Sequence, residues 1–188
     1  MLASNSITTI DGNMQQKSID HLALIQTAQA GDEAAFSELV EYFYDQMYRF
    51  ALKYSGSVTD AEDITQLACL KLARSLHQFR FEAAFTTWLY RLVINCAKDW
   101  YRGRSNTTST ESLTFEVTDS RADSMILLQQ TLNTVDGMGE GFRESITLVL
   151  GEGFSHREAA ELLGVKESTI SWRIHETRKR LAAMEADS

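Results

Sequence analysis

The sequence of 188 residues contains no proline, only two cysteines and no long apolar run. Because proline is absent, we expect helix ends to depend on glycine and on side-chain caps. Cys69 and Cys96 lie inside helical patterns rather than in the paired spacings of a metal site or a disulfide framework, so we expect two buried free thiols. No apolar run approaches the roughly 18 residues that cross a bilayer. The N-terminal residues also show no apolar stretch of the signal-peptide kind, so we expect the protein to stay in the cytoplasm.

The net charge of -8 argues against a protein that coats nucleic acid without selectivity, because non-specific affinity grows with each phosphate that a cation neutralises. The charge is unevenly distributed. Residues 1–63 hold ten acidic side chains against three basic ones, whereas residues 86–105 hold four basic side chains against one acidic one. This separation indicates two different partners, one basic and one anionic.

Apolar residues recur at helical spacing from end to end, and no segment sustains the alternation of a half-buried strand. The sequence therefore predicts an all-α fold of two small helical domains joined by a flexible linker. The segments are a polar tail at 1–17, a first domain at 18–103, a linker rich in serine and threonine at 104–122, and a second domain at 123–188.

Capping residues predict where the helices of the first domain begin and end. Asp32 is expected to cap a long helix that stops at Gly56. Thr59 is expected to cap the next helix, whose first turn is acidic, as the helix dipole favours. The predicted inward face of that helix comprises Ile64, Leu67, Ala68, Leu72 and Leu76.

The stretch GFSHREAAELLGVKESTISWRIHETRKRL predicts a helix-turn-helix. Ser155 and Glu158 have the spacing of a capping box, and Gly164 is expected to end that helix. Such a motif places its second helix in the major groove, where polar and cationic side chains contact bases and phosphates. The candidates for duplex contact on the second helix are Ser168, Thr169, Ser171, Trp172, Arg173, His175, Arg178 and Lys179.

One simpler interpretation of this stretch stays open. It could be an ordinary helical hairpin with a solvated cationic face. His156 and His175 have no third ligand at a zinc-like spacing, so we expect surface or phosphate-contacting roles for them and no metal. We likewise expect no cofactor and no catalytic residue, because the acids and histidines show neither paired spacing nor a nucleophile setting.

The segment DAEDITQLACLKLARSLHQFRFEAAFTTWLYRLVINCAKDWYR, residues 60–102, resembles the second conserved region of sigma factors of the extracytoplasmic-function class. Residues 139–181 resemble their fourth region, and the two occur in the family's order. The resemblance implies a factor that binds core RNA polymerase and promoter DNA, usually under the control of an anti-sigma protein. It assigns polymerase docking to the acidic start of the helix, at Asp60, Glu62, Asp63 and Gln66.

The same resemblance assigns recognition of the minus-ten element to a loop and to the helix after it. In the loop at 77–87, Phe79 or Phe81 could stack on a flipped base, and Arg80 could contact a phosphate or a base. On the helix, residues three and four apart give a mostly cationic face, and Asp99 could instead orient Arg102 or Arg91. The residues of that face are Arg91, Asn95, Lys98, Asp99 and Arg102. The minus-thirty-five element is assigned to the helix-turn-helix.

The sequence departs from the family at two places. The stretch GMGEGFRES stands where the family often has a Leu-Pro pair, and Ser171 and Glu176 stand where basic residues are frequent. With fewer cations, binding to the duplex is expected to depend on polymerase bringing both domains to DNA together. A stand-alone helix-turn-helix regulator that binds duplex DNA as a dimer is the alternative, but such a protein has no need of the DAEDITQ helix.

Overall fold

A computed structural model of the chain describes residues 21–105 and 120–186, with side chains placed for 21–104 and 128–184. This described part contains helices and turns and no β-strand, which confirms the predicted all-α class there. The N-terminal domain comprises α1 (21–29), α2 (Glu33–Ser55), α3 (Val58–Ser75), a 3-10 turn (Leu76–Gln78) and α4 (Phe85–Ser105). The C-terminal domain comprises α5 (Ser120–Asp136), α6 (Phe142–Ile146), a π turn (Thr147–Gly151), α7 (His156–Leu163) and α8 (Glu167–Ala186).

The predicted tail at 1–17 lies outside the described residues, as do residues 106–119 of the predicted linker. Both ends of that linker are helical, because α4 continues to Ser105 and α5 begins at Ser120.

The caps of α2 follow the prediction, whereas the cap of α3 does not. Asp32 accepts a hydrogen bond from the backbone N–H of Ala35, and Gly56 ends α2 in the left-handed conformation at φ 70°. The prediction that Thr59 caps α3 is wrong, because Ser57 has the extended backbone of a cap and accepts from the N–H of Asp60. Thr59 lies inside the first turn of α3. Capping depends on the backbone angles of one residue, which composition alone does not reveal.

The core of the N-terminal domain forms where α2 packs against α3 and α4. Ile64, Ala68 and Leu72 recur every four residues on α3 and are fully buried. Leu67 was predicted to share this face, but it is 39% exposed. It precedes Ala68 by one residue and is therefore rotated about 100° from the buried row.

The C-terminal domain contains the predicted helix-turn-helix, formed by α7 and α8. The hydroxyl of Ser155 accepts from the N–H of Glu158, and the Glu158 carboxylate accepts from Ser155 in return. The hydroxyl and backbone N–H of Ser155 hold the pKa of the Glu158 carboxyl below its usual value. Gly164 ends α7 in the left-handed conformation, as predicted. Ala159 and Ala160 are buried, and such small side chains allow α8 to pack closely against α7.

The two domains pack against each other, which the sequence did not predict. The end of α2 contacts α5 and the π turn, and α4 contacts α7. At Gly56 the approach is close enough that an added Cβ would lie 2.9 Å from Leu132 Cδ1 and 3.1 Å from Gln129 Oε1. Glycine is therefore required there for the helix cap and for the domain contact alike.

Candidate nucleic-acid interface

The second helix of the helix-turn-helix, α8, presents one polar face to solvent. Ile170, Ile174 and Thr177 are buried toward the domain core. The opposite face carries exposed residues three or four positions apart, which places them in one row along the helix. This exposed row comprises Ser168, Trp172, His175 and Lys179, with Arg178 beside it. The row combines hydrogen-bonding, aromatic and cationic groups, as a major-groove helix requires.

Three of the predicted duplex-contacting residues have partners inside the C-terminal domain. Arg173 donates to Ser145 Oγ at 3.3 Å and to the carbonyl of Glu140 at 3.2 Å. Ser171 Oγ lies 2.9 Å from His156 Nδ1, which ties α8 to the start of α7. The Trp172 ring meets Phe142 edge-on at 5.3 Å, yet the residue remains 55% exposed. Thr169 is half-buried at the edge of the helix.

Gly141 explains why Arg173 turns inward. A Cβ at this position would lie 2.4 Å from the guanidinium carbon of Arg173, and Gly141 has the positive φ of 83°. Any side chain here would displace the guanidinium from its carbonyl acceptor.

The loop between the 3-10 turn and α4 separates its two candidate aromatic rings. Phe79 is 6% exposed and packs against Phe85 and Trp88. Gln29 donates to the carbonyls of Leu76 and Phe79 at 2.8 Å each, so α1 anchors this end of the loop.

Phe81 is the ring that the loop exposes. It is 37% exposed and lies 4.7 Å from the Phe79 ring, which supports it from the core side. Its backbone has φ 59°, the left-handed region, a conformation that costs a non-glycine residue about 1–2 kcal/mol. Strain of this kind is concentrated at functional sites. Arg80 beside it is exposed.

The polar face of α4 is divided between solvent and the C-terminal domain. Asn95 and Arg102 are exposed. Asp99 pairs with Arg102 at 3.4 Å and with Lys71 at 3.4 Å, so of the two arginines considered from sequence it orients Arg102.

Arg91 and Lys98, which lie on the same face, contact the other domain. Arg91 donates to the carbonyls of Leu162 and Glu161 at the end of α7, both at 3.0 Å. The ammonium of Lys98 lies 3.0 Å from the carboxylate of Glu144 on α6.

The acidic start of α3 forms a surface that also contains two leucines. Asp60 pairs with Arg104 at 2.6 Å, and its side chain is only 13% exposed. Glu62 and Gln66 are exposed and Asp63 is half-buried. Leu67, which the sequence placed on the buried face, and Leu70, which it did not single out, are 39% and 57% exposed. We define the α3 surface as Glu62, Asp63, Gln66, Leu67 and Leu70.

The spacing of Leu70 in the sequence could have indicated its place on the α3 surface. Leu70 follows Gln66 by four residues, and Gln66 follows Glu62 by four, so the three lie in one row on the helix. An apolar residue that lies on the polar face of a helix, and not on its buried face, indicates a contact surface.

Both cysteines are free thiols, as predicted, although Cys69 is only half-buried. Burial raises the pKa of Cys96 to about 11 and also raises the pKa of Cys69. Both thiols are therefore protonated at neutral pH, which makes them poor nucleophiles and poor metal ligands.

The described residues contain no group of three or more histidine, cysteine, aspartate or glutamate side chains that could hold a metal ion. Within 21–105 and 120–186, no helix is long and apolar enough to cross a membrane.

Comparison with known proteins matches both halves of the chain to one family. Residues 39–107 match the family model for sigma-70 region 2, and residues 129–181 match the model for sigma-70 region 4. The ECF RNA polymerase sigma factor SigM of Mycobacterium tuberculosis is 32% identical over 158 residues, which cover 82% of this chain and 79% of that protein. The ECF RNA polymerase sigma-E factor of Escherichia coli is 30% identical over 173 residues, covering 84% and 90%.

Solved structures show the same fold. CnrH in complex with the cytosolic domain of CnrY matches with a TM-score of 0.64 and 26% identity, covering 88% of this chain and 97% of that one. The sigma factor RpoE of Bartonella quintana, in complex with the anti-sigma factor NepR, matches with a TM-score of 0.60 and 22% identity, covering 80% and 96%. With both regions matched in order and relatives aligned over most of their length, the chain belongs to the extracytoplasmic-function class of the sigma-70 family of RNA polymerase sigma factors.

Proposed function

We propose that this protein directs core RNA polymerase to promoters in the cytoplasm, and that it catalyses no reaction itself. The domain at 18–103 binds polymerase and the minus-ten element, and the domain at 123–188 binds the minus-thirty-five duplex. The observation that carries this proposal is the coexistence, on one chain, of an acidic and apolar helix surface, an exposed aromatic loop and a helix-turn-helix. A stand-alone DNA-binding regulator would need only the last of these.

Polymerase docking is assigned to the α3 surface. Leu70 supplies an exposed apolar contact at 57% exposure, and Glu62, Asp63 and Gln66 surround the leucines with groups that suit a basic partner. Buried apolar anchors ringed by polar residues are typical of the energetic centre of an interface. Asp60 supports this surface indirectly, because its carboxylate is already held by Arg104.

Capture of the minus-ten strand is assigned to Phe81, Arg80 and the polar face of α4. The exposed ring of Phe81 offers a flat surface for a base, and the cations of α4 offer charge to the phosphates. Phe79 contributes from below by supporting the Phe81 ring at 4.7 Å. Of the α4 face, Lys98 is half-buried, and the exposed members are Arg91, Asn95, Asp99 and Arg102.

Duplex reading at the minus-thirty-five element is assigned to the exposed row of α8. Ser168 lies in the first turn of the helix. Arg178 and Lys179 lie in its middle part and supply cations that suit phosphate contacts. Arg173 and Ser171 shape the helix-turn-helix from inside rather than reading bases, because both are hydrogen-bonded within the domain.

Control by an anti-sigma protein completes the proposal. The solved structure of the Bartonella quintana sigma factor contains an anti-sigma factor, and this chain shares its fold. Such a partner would be expected to cover the α3 surface, since that would prevent polymerase from docking.

Binding to purified core RNA polymerase, measured by fluorescence anisotropy of the labelled full-length chain, tests this function. We expect saturable binding that a Leu70→Asp substitution weakens. A parallel gel shift on duplex DNA without polymerase addresses the alternative. Tight, specific duplex binding by the protein alone, without affinity for polymerase, would identify a stand-alone regulator and overturn the proposal.

A further inference from the structure

The histidine at the start of α7 has two ring nitrogens with different surroundings. His156 is the first residue of that helix, directly after the cap Ser155. Its Nδ1 lies 2.9 Å from the hydroxyl oxygen of Ser171 on α8. In the part of the chain that the structure describes, the indole nitrogen of Trp100 is the only buried side-chain nitrogen or oxygen without a hydrogen-bond partner. The Nε2 of His156 has no partner among the same residues, so it is accessible to solvent.

The Ser171 hydroxyl controls how the His156 ring presents its second nitrogen. When the hydroxyl donates to Nδ1, the neutral ring carries its proton on Nε2. When the ring is charged, Nδ1–H donates to the hydroxyl oxygen, and Nε2 also carries a proton. In both arrangements the ring is held against α8 and offers an N–H to solvent at Nε2.

The position of this ring suits a contact with the backbone of a DNA duplex. His175 follows Ser171 by four residues and Arg178 follows it by seven, and both are exposed. The three residues therefore share one side of α8, the side at which Ser171 contacts α7. In a helix-turn-helix, the second helix lies in the major groove and the first helix crosses the backbone. Nε2 of His156 is thus placed where phosphate oxygens are expected.

The acidic residues near His156 leave its ring without an ionic partner. The Glu158 carboxylate accepts from the cap of its own helix, and Glu161 pairs with Arg157. Among the ion pairs of the described residues, none includes His156 or the exposed Glu167. The charged or titratable residues of the segments around the ring are Glu152 before α7, Arg157, Glu158 and Glu161 on α7, Glu167, His175 and Arg178 on α8, and Arg91 on α4.

We propose that His156 binds a backbone phosphate of the minus-thirty-five duplex through Nε2, that Ser171 positions the ring for this contact, and that protonation of the ring strengthens it. The inference rests on the proposed assignment of α8 to that duplex. Histidine is the side chain whose charge ordinarily changes between about pH 5 and pH 8. Because protonation and phosphate binding favour each other, the duplex is bound more tightly as the pH falls through this range.

The test measures how the affinity for duplex DNA depends on salt at about pH 6 and at about pH 8. The full-length chain is titrated against a short labelled duplex of random sequence, and binding is followed by fluorescence anisotropy. A random sequence suffices because phosphate contacts carry no sequence information. His156→Asn keeps an amide close to the place of Nδ1, but it removes Nε2 and takes up no proton. His21→Asn is the matched control, since it removes a histidine of α1 that packs against the Tyr42 ring.

A cation that neutralises one phosphate adds about 0.9 to the slope of log affinity against log salt. Between pH 8 and pH 6, we expect this slope to steepen in the wild type and in His21→Asn by up to about 0.9 more than in His156→Asn. His175 is present in all three proteins, so its own titration cancels. Equal steepening in the wild type and His156→Asn overturns the proposal, as does a wild type that binds the duplex at neither pH.

Two substitutions of Ser171 test the positioning role. Ser171→Ala removes the hydroxyl, so we expect it to lose most of the additional steepening although His156 is still present. Ser171→Thr keeps a hydroxyl and should restore the steepening. If Ser171→Ala instead changed the affinity by the same factor at both pH values, its role would be structural and the positioning role would be refuted. Circular dichroism verifies that each variant retains its helical content.

Failure of this inference is distinguishable from failure of the proposed function. A wild-type chain that binds core polymerase, but whose salt slopes agree with those of His156→Asn, refutes the phosphate contact of His156 alone. A chain that binds no core polymerase refutes the proposed function, whatever the salt slopes are.

Discussion

Replacement of Phe81 by alanine removes the exposed ring of the loop and leaves the core ring Phe79 in place. The residue is 37% exposed, so its truncation should leave no large cavity. Loss of the ring contact with Phe79 should reduce the free energy of unfolding by about 0.5–1.5 kcal/mol. Stacking of one base on an aromatic side chain contributes about 1–3 kcal/mol. At about 1.36 kcal/mol per tenfold change, promoter opening should decrease roughly 5- to 150-fold.

Permanganate reactivity of unpaired thymines measures that opening, on a promoter identified by sequencing transcripts after overexpression of the protein. Phe81→Tyr keeps the ring and should open the promoter nearly as well as the wild type. Binding to core polymerase should be equal in all three proteins, because the loop is separate from the α3 surface. If Phe81→Ala opened the promoter as fast as the wild type, the assignment of the stacking ring would be wrong.

Three further predictions concern docking, the domain contact and the helix-turn-helix. In the anisotropy titration, Leu70→Asp should weaken binding to core polymerase at least about tenfold, as expected for an interface hot spot. The control Leu22→Asp, at a residue of α1 that is 48% exposed, should leave that binding unchanged. In urea denaturation, Gly56→Ala should lower the free energy of unfolding more than Gly164→Ala. Both glycines have a positive φ, but of the two only Gly56 would place an added Cβ 2.9 Å from another side chain. Equal decreases in the free energy of unfolding would show that the domain contact is absent in solution. Ser155→Ala should lower the free energy of unfolding by about 1 kcal/mol at neutral pH. Because Ser155 holds the folded pKa of the Glu158 carboxyl below the ordinary value for glutamate, the contribution of Glu158 to stability is present at neutral pH and is lost as the pH falls through the lowered folded pKa. Thermal melts of wild type and variant should therefore converge in acid.

Local signals predicted much of the fold. Asp32, Ser155 and Gly164 each occupy the capping position that sequence assigned to them, because a cap and its hydrogen bonds span only a few neighbouring residues. The inward residues Ile64, Ala68 and Leu72 of α3 were likewise predicted from spacing and are buried. Such features do not depend on what else the helix packs against.

Signals at the edge of a helix face were less informative. Leu67 was grouped with Ala68 on the buried face of α3, but one residue of rotation places it in solvent. Spacing gives the angle between side chains, whereas the width of the covered face is set by the neighbouring helices. For the same reason, sequence left Phe79 and Phe81 as equal candidates, and only the packing of Phe79 against Phe85 and Trp88 distinguishes them.

Contacts between distant residues could not be predicted at all. No local pattern around Lys98 indicates that it pairs with Glu144. In the same way, no local pattern around Arg91 indicates that it donates to carbonyls of α7. The cationic face of α4 was therefore interpreted as uniformly available, although the C-terminal domain covers part of it. Arg173 illustrates the same difficulty within one domain, because its inward turn depends on Gly141.

The most direct test of the central claim is reconstituted transcription with purified core RNA polymerase on a template library made from the source genome. We expect discrete transcripts that require the added protein, share a promoter sequence and disappear with Leu70→Asp. If core polymerase supplemented with the folded wild-type protein gave no such transcripts, while a known sigma factor added to the same polymerase did, the assignment as a promoter-directing factor would be contradicted.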